Sequence, residues 1–191
     1  MYTKSLCRLG LVVVMTLAFS SCKKDKLTDP VIPNEQEIIT TLQFTLSPTG
    51  GGVDIVMSFI DMDGDGPLAP LVSVSDSLMA NTQYTASLVL LNETVNPADS
   101  INSEILAEAE EHQFFFIPQG VDVNVAYDDS DLDGMPIGLS TILDTGAPST
   151  GSLTIVLRHL PVKTATGVAQ GDITNAGGET DIEASFDVVI E

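Results

Sequence analysis

The chain predicts an all-β fold: an antiparallel β-sandwich, Ig-like or Greek-key, with one short inserted helix. Three observations carry this. Short runs rich in Val, Ile, Thr and Phe are separated by Gly, Pro and Asp turns. The last run alternates cleanly, with Ile182, Ala184, Phe186, Val188 and Ile190 on one face and Asp181, Glu183, Ser185 and Asp187 on the other, the pattern of a half-buried strand. Only one segment has helical composition, whereas a doubly wound fold needs a helix between most strands.

The elements follow in order. Glu37–Leu46 and Val53–Ile60 flank SPTGGG, a glycine-rich turn signal. Gln83–Leu91, Gln113–Ile117, Val121–Tyr127, Ser152–His159 and Asp181–Ile190 are further strands, with weaker patterns at Leu71–Val74 and Ile137–Leu143. Pro97–Glu111 combines helix formers with a proline at its start, which predicts the helix. In QFFFI, period-two alternation must send at least one of Phe114, Phe115 and Phe116 to the face opposite the others. The glycine-rich stretch from Gly167 to Glu183 reads as a long hairpin turn; it holds no phosphate-binding fingerprint.

Ahead of these strands the chain reads as processing and tethering segments. Lys4 and Arg8 precede an apolar run, Leu9–Phe19, too short to cross a bilayer as a helix. Ser20, Ser21 and Cys22 follow, and this arrangement resembles the lipobox of bacterial lipoproteins. The resemblance implies a lipid on Cys22 and removal of residues 1–21. An ordinary secretory signal with an incidental cysteine is the alternative. Residues 22–36 then form anchor and tether, and 37–191 a single β-sandwich domain. Cys7 is the only other cysteine, so a processed chain would have no disulfide and would depend on its core alone.

The charge distribution supports a membrane address. The chain carries 27 acidic and seven basic residues, yet three of the bases, Lys23, Lys24 and Lys26, follow Cys22 directly. Each lysine near an anionic bilayer contributes about 1 kcal/mol of attraction. Beyond Lys26, two bases (Arg158 and Lys163) face 26 acids, a net −24. Such a domain has no basic footprint for nucleic acid and attracts cations instead.

Two acidic loops are the sharpest local signal. FIDMDGDGP offers Asp61, Asp63 and Asp65; YDDSDLDGMP offers Asp129, Asp131 and Asp133, with Asp128 beside them. Alternate carboxylates on a tight turn can converge on Ca²⁺, which takes six to eight oxygens at about 2.3–2.6 Å. Both resemble the opening of an EF-hand loop, but Val72 and Ser140 stand where its twelfth-position glutamate belongs. An EF-hand is therefore excluded. Aspartates that merely shape turns are the competing reading.

The only two histidines give a second candidate. Glu108, Glu111 and His112 share one helical face at spacings of three and four, while His159 closes a strand. If the two ends meet, His112 and His159 with a glutamate offer a Zn²⁺ site. Catalytic signatures are lacking: the sequence contains no G-x-S-x-G and no H-E-x-x-H. A non-enzymatic role is the expectation.

The stretches AEEHQFFF, LRHLP and GVAQGDITNAGGETDIEASFDV together resemble a family of bacterial outer-membrane lipoproteins described as "type 1 periplasmic binding fold superfamily" proteins. That resemblance implies an outer-membrane location and is compatible with a role beside an uptake receptor; an accessory part in a transport or surface complex is the expectation. The functional expectation is thus a lipid-anchored, cation-binding protein, with a structural or adhesive surface module as the alternative.

Overall fold

The computed structural model describes residues 37–64 and 66–191. The signal segment, Cys22 and the tether, like Asp65, lie outside the described residues. The protein is an all-β sandwich with one short helix. Strands β1 (Thr41–Pro48), β2 (Ile55–Ile60), β3 (Leu71–Val74), β4 (Gln83–Asn92), β5 (Asp99–Ser100), β6 (His112–Gln119), β7 (Val123–Tyr127), β8 (Ser140–Thr145), β9 (Ser149–His159) and β10 (Glu179–Ile190) form two antiparallel sheets. The larger is ordered β3-β2-β1-β4-β8-β7, with β5 added to β4; the smaller is β10-β9-β6.

Alternation places the core between the sheets. Leu42, Phe44 and Leu46 of β1 and Tyr84, Leu88 and Leu90 of β4 point inward from one side. Ile155, Leu157, Ala184 and Phe186 answer from the other. Phe44 and Phe116 meet across the layers with ring centroids 5.4 Å apart. The inward face of β10 is the one its alternation predicts.

The helix is shorter than its sequence signal. α1 covers Ile101–Ala107 and buries Ile101 and Ile105, one turn apart; a 3-10 turn at Ala109–Glu111 follows. Asn102 on α1 repairs the edge of β4, accepting from Leu90 N at 2.7 Å and donating to Leu88 O at 2.8 Å. His112 is not helical; it opens β6.

The glycine-rich connection is more than a turn. Residues 161–178 fold over the outer face of the smaller sheet, where Val168 and Ala176 cover Phe115 and Val156. Phe115 is thus the ring that alternation sends outward, and it is buried beneath this cover. The same segment carries Lys163 into the interior, 6% exposed.

Candidate metal centre

Four chain segments converge at one end of the sandwich. Glu37 lies in the lead-in to β1, His112 starts β6, His159 ends β9, and Asp181 lies near the start of β10. Because β6 and β9 are antiparallel neighbours, their register sets His112 directly opposite His159. The two rings stack with centroids 4.8 Å apart and planes 11° from parallel.

Asp181 reaches this point through a β-bulge. The pairing of β10 with β9 shifts between Thr180 and Ile182, which leaves Asp181 as the extra residue. A bulge re-aims a side chain out of the regular alternation. Asp181 accordingly leaves the solvent face that Glu183, Ser185 and Asp187 share, and its side chain is 0% exposed. This corrects the outward position that simple alternation assigns it.

Gly178 makes the approach to the bulge. Its φ is +70°, and a Cβ there would come 2.2 Å from His159 O. Backbone contact this close cannot relax by moving a side chain. Gly178→Ala is expected to cost at least about 1–2 kcal/mol from the left-handed conformation alone and to push Asp181 away from His159. Thermal melting of the variant, with and without added zinc, checks both effects. Leu160, directly after His159, also adopts a positive φ of 53°, a conformation that costs a non-glycine residue on the order of 1–3 kcal/mol and clusters at functional sites.

The polar geometry leaves charge unresolved. Glu108 contributes its carbonyl, not its carboxylate, 3.1 Å from His112 Nδ1. A carbonyl only accepts, so Nδ1 carries a proton. The other ring nitrogen, Nε2, faces two carboxylates: Glu37 Oε1 at 3.0 Å and Asp181 Oδ2 at 3.9 Å. The first contact has the length of a hydrogen bond but not its direction, and Nε2 has no hydrogen-bond partner. Neither do Glu37 Oε2, Asp181 Oδ1 or Asp181 Oδ2, all buried. Burial, then the negative charge of Glu37, pushes the Asp181 carboxyl up from 3.8 to about 6, against the pull of the two imidazoles. On the other ring, His159 Nδ1 is 3.8 Å from Asp181 Oδ1, and Nε2 is 3.8 Å from Glu111 Oε2.

These residues fit a metal ion. One ligand atom from each of Glu37, His112, His159 and Asp181 lies within 4.8 Å of the others. Ligands 2.0–2.2 Å from a tetrahedral ion stand roughly 3.4 Å apart, so the set needs only a modest contraction. Two imidazoles and two carboxylates suit zinc or a neighbouring transition metal rather than calcium. This is the only grouping of three or more such side chains among the described residues. The sequence pattern offers the same two histidines as candidates, with Glu108 and Glu111; the structure groups them instead with Glu37 and Asp181.

The aspartate loops are arranged differently. Asp129 accepts from Gly138 N at 2.6 Å and Ser140 N at 2.9 Å. Asp131 Oδ1 accepts from Asp133 N and Met135 N, while its Oδ2 takes the Lys163 ammonium at 2.8 Å. Asp133 is exposed. The cation of this loop is therefore a lysine of the same chain. In the first loop Asp61 accepts from Asp63 N at 3.3 Å, and Asp63 from Leu68 N at 3.2 Å. Both line a pocket of about 560 Å³ that Glu37, Asp181 and Glu183 also line.

Fold and site together define an acidic β-sandwich with a buried histidine–carboxylate cluster at one pole. No family model, curated protein or solved structure matches the chain.

Proposed function

We propose that the protein is a non-enzymatic, lipid-anchored outer-membrane binding protein whose sandwich holds one divalent transition metal through Glu37, His112, His159 and Asp181. Three buried carboxylate oxygens without hydrogen-bond partners, gathered with one equally unpartnered imidazole nitrogen, support this reading most directly. Buried polar groups are otherwise almost always satisfied, and a divalent cation would satisfy all four at once. The anchor rests on the Ser20-Ser21-Cys22 pattern and the lysines behind it. An accessory role beside an uptake receptor or surface complex suits such a tethered domain.

Titration with Co²⁺ tests the metal centre, because its visible spectrum reports nitrogen and oxygen ligation. The expected result is one ion per chain, lost in His112→Ala and His159→Ala. Unaltered cobalt binding in both variants would remove the proposal. The alternative, a structural or adhesive module whose aspartates shape turns, draws on the hydrogen bonds that occupy Asp129 and Asp131. Calcium at Asp129, Asp131 and Asp133 would have to displace Lys163. If neither Co²⁺ nor millimolar Ca²⁺ changes the melting temperature, that alternative stands.

A further inference from the structure

The pocket beside the cluster is asymmetric. Glu37 and Asp181, the carboxylate half of the ligand set, line it; His112 and His159 do not and are buried behind them. Around the same pocket stand Asp61, Asp63 and Glu183, from the loop after β2 and from β10. Asp63 and Glu183 are exposed and Asp61 is half-buried. Neither base beyond Lys26 lines the pocket: Lys163 is bonded to Asp131, and Arg158 donates to Thr180 at 2.8 Å.

We infer that this pocket is the passage by which a hydrated divalent cation reaches and leaves the buried centre, and that Asp61, Asp63 and Glu183 form its cation-attracting mouth. The inference rests on the proposed metal centre. Carboxylates around a concave, low-dielectric surface focus the field, and such focusing raises the local concentration and association rate of an oppositely charged ligand by about 10–1,000-fold. Asp61 and Asp63 each give one oxygen to a hydrogen bond from their own loop, and none of the three acids belongs to the group of converging ligand atoms. Passage through the mouth brings the ion first to Asp181, whose two buried oxygens have no hydrogen-bond partner, and then to the imidazoles behind it. The ordering assigns the first acidic loop a kinetic role in place of a coordinating one. It also makes the centre exchangeable, unlike a closed structural site whose ligands surround the metal completely.

The test follows Co²⁺ uptake by stopped-flow absorbance in the intact domain. It compares the native chain with Asp61→Asn/Asp63→Asn, with Glu183→Gln, and with all three together. Asparagine keeps the oxygen that accepts each loop hydrogen bond, and Glu183 is an exposed strand residue, so the variants retain the fold. The triple variant is expected to take up Co²⁺ about tenfold more slowly at low ionic strength. The difference should vanish near 1 M salt, where the screening length is about 3 Å, and the cobalt spectrum should not change. Equal rates at low salt would overturn the mouth while leaving the metal centre standing. An altered spectrum would also overturn it, because the acids would then be ligands. Absence of Co²⁺ uptake by the native chain would overturn both the passage and the centre it serves.

Discussion

Lys163→Met is expected to destabilise the domain by roughly 3–5 kcal/mol, the usual consequence of removing one partner from a buried ion pair. The Lys163 ammonium has three protons, and each meets an oxygen: Ala109 O at 2.6 Å, Asp131 Oδ2 at 2.8 Å and Pro136 O at 2.9 Å. Methionine fills much the same volume but satisfies none of them. Asp131 would keep its bonds from Asp133 N and Met135 N and lose its only counter-charge. Burial alone pushes the Asp131 carboxyl up; the Lys163 hydrogen bond, with the two N–H groups, outweighs it and holds the carboxyl below 3.8. A depressed carboxyl contributes stability above its unfolded pKa, and that contribution is lost as pH falls through the folded value. The excess cost of Lys163→Met should therefore be full at pH 7 and shrink in acid. Urea denaturation at pH 7 and at pH 3 measures it. Pairing the change with Asp131→Asn should recover part of the loss, since the uncompensated charge goes too. A cost below about 1 kcal/mol at pH 7 would place the pair among solvent-screened surface bridges instead.

The same lysine shows where sequence reading stops. The strands were legible because period-two alternation reports a local preference, and the cores of β1, β4 and β10 obey it. The two histidines were legible as candidate metal ligands by residue type, and strand register sets them opposite each other. Their carboxylate partners were not. Glu37 sits 75 residues from His112 by the numbering, in a lead-in whose sequence reads simply as the start of a strand. Asp181 sits in a perfect alternating pattern, and only the bulge between Thr180 and Ile182 turns it inward. A bulge leaves little trace in hydropathy; the signal within reach was the Gly177-Gly178 pair just before it, with positive φ of 60° and 70°. The Asp129–Asp133 loop was legible as cation-seeking, but the partner is a lysine some 30 residues downstream, carried in by a segment that reads as a turn. Local composition specified the charge to be neutralised, and the tertiary fold chose what neutralises it.

Zinc and protons should compete for the polar cluster, which makes the pH dependence of the metal-free and metal-loaded protein run in opposite directions. Without metal, Asp181 holds its proton more tightly folded than unfolded, because burial and Glu37 raise it from 3.8 to about 6. A raised carboxyl contributes stability that is present below the unfolded value and lost as pH rises through the folded one. That contribution is lost between about pH 4 and pH 6–7, the window between the unfolded and folded values. With metal, the carboxylate and both imidazoles must be deprotonated to ligate, so binding strengthens as pH rises. Free zinc at a thousand times its dissociation constant stabilises the native state by about 4 kcal/mol. The zinc-induced rise in melting temperature is therefore expected to be large at pH 7.5 and small at pH 5, while the chelated protein loses stability over the same rise in pH. Asp181→Asn separates the two effects: it abolishes the raised carboxyl, flattening the chelated profile, and removes a ligand, shrinking the zinc response at pH 7.5. Melting curves from pH 4.5 to 7.5 in zinc and in EDTA measure all four cases. A zinc response that is equal at pH 5 and pH 7.5, and intact in Asp181→Asn, would mean that the ion binds elsewhere on this acidic surface and that the histidine cluster is held by protons alone.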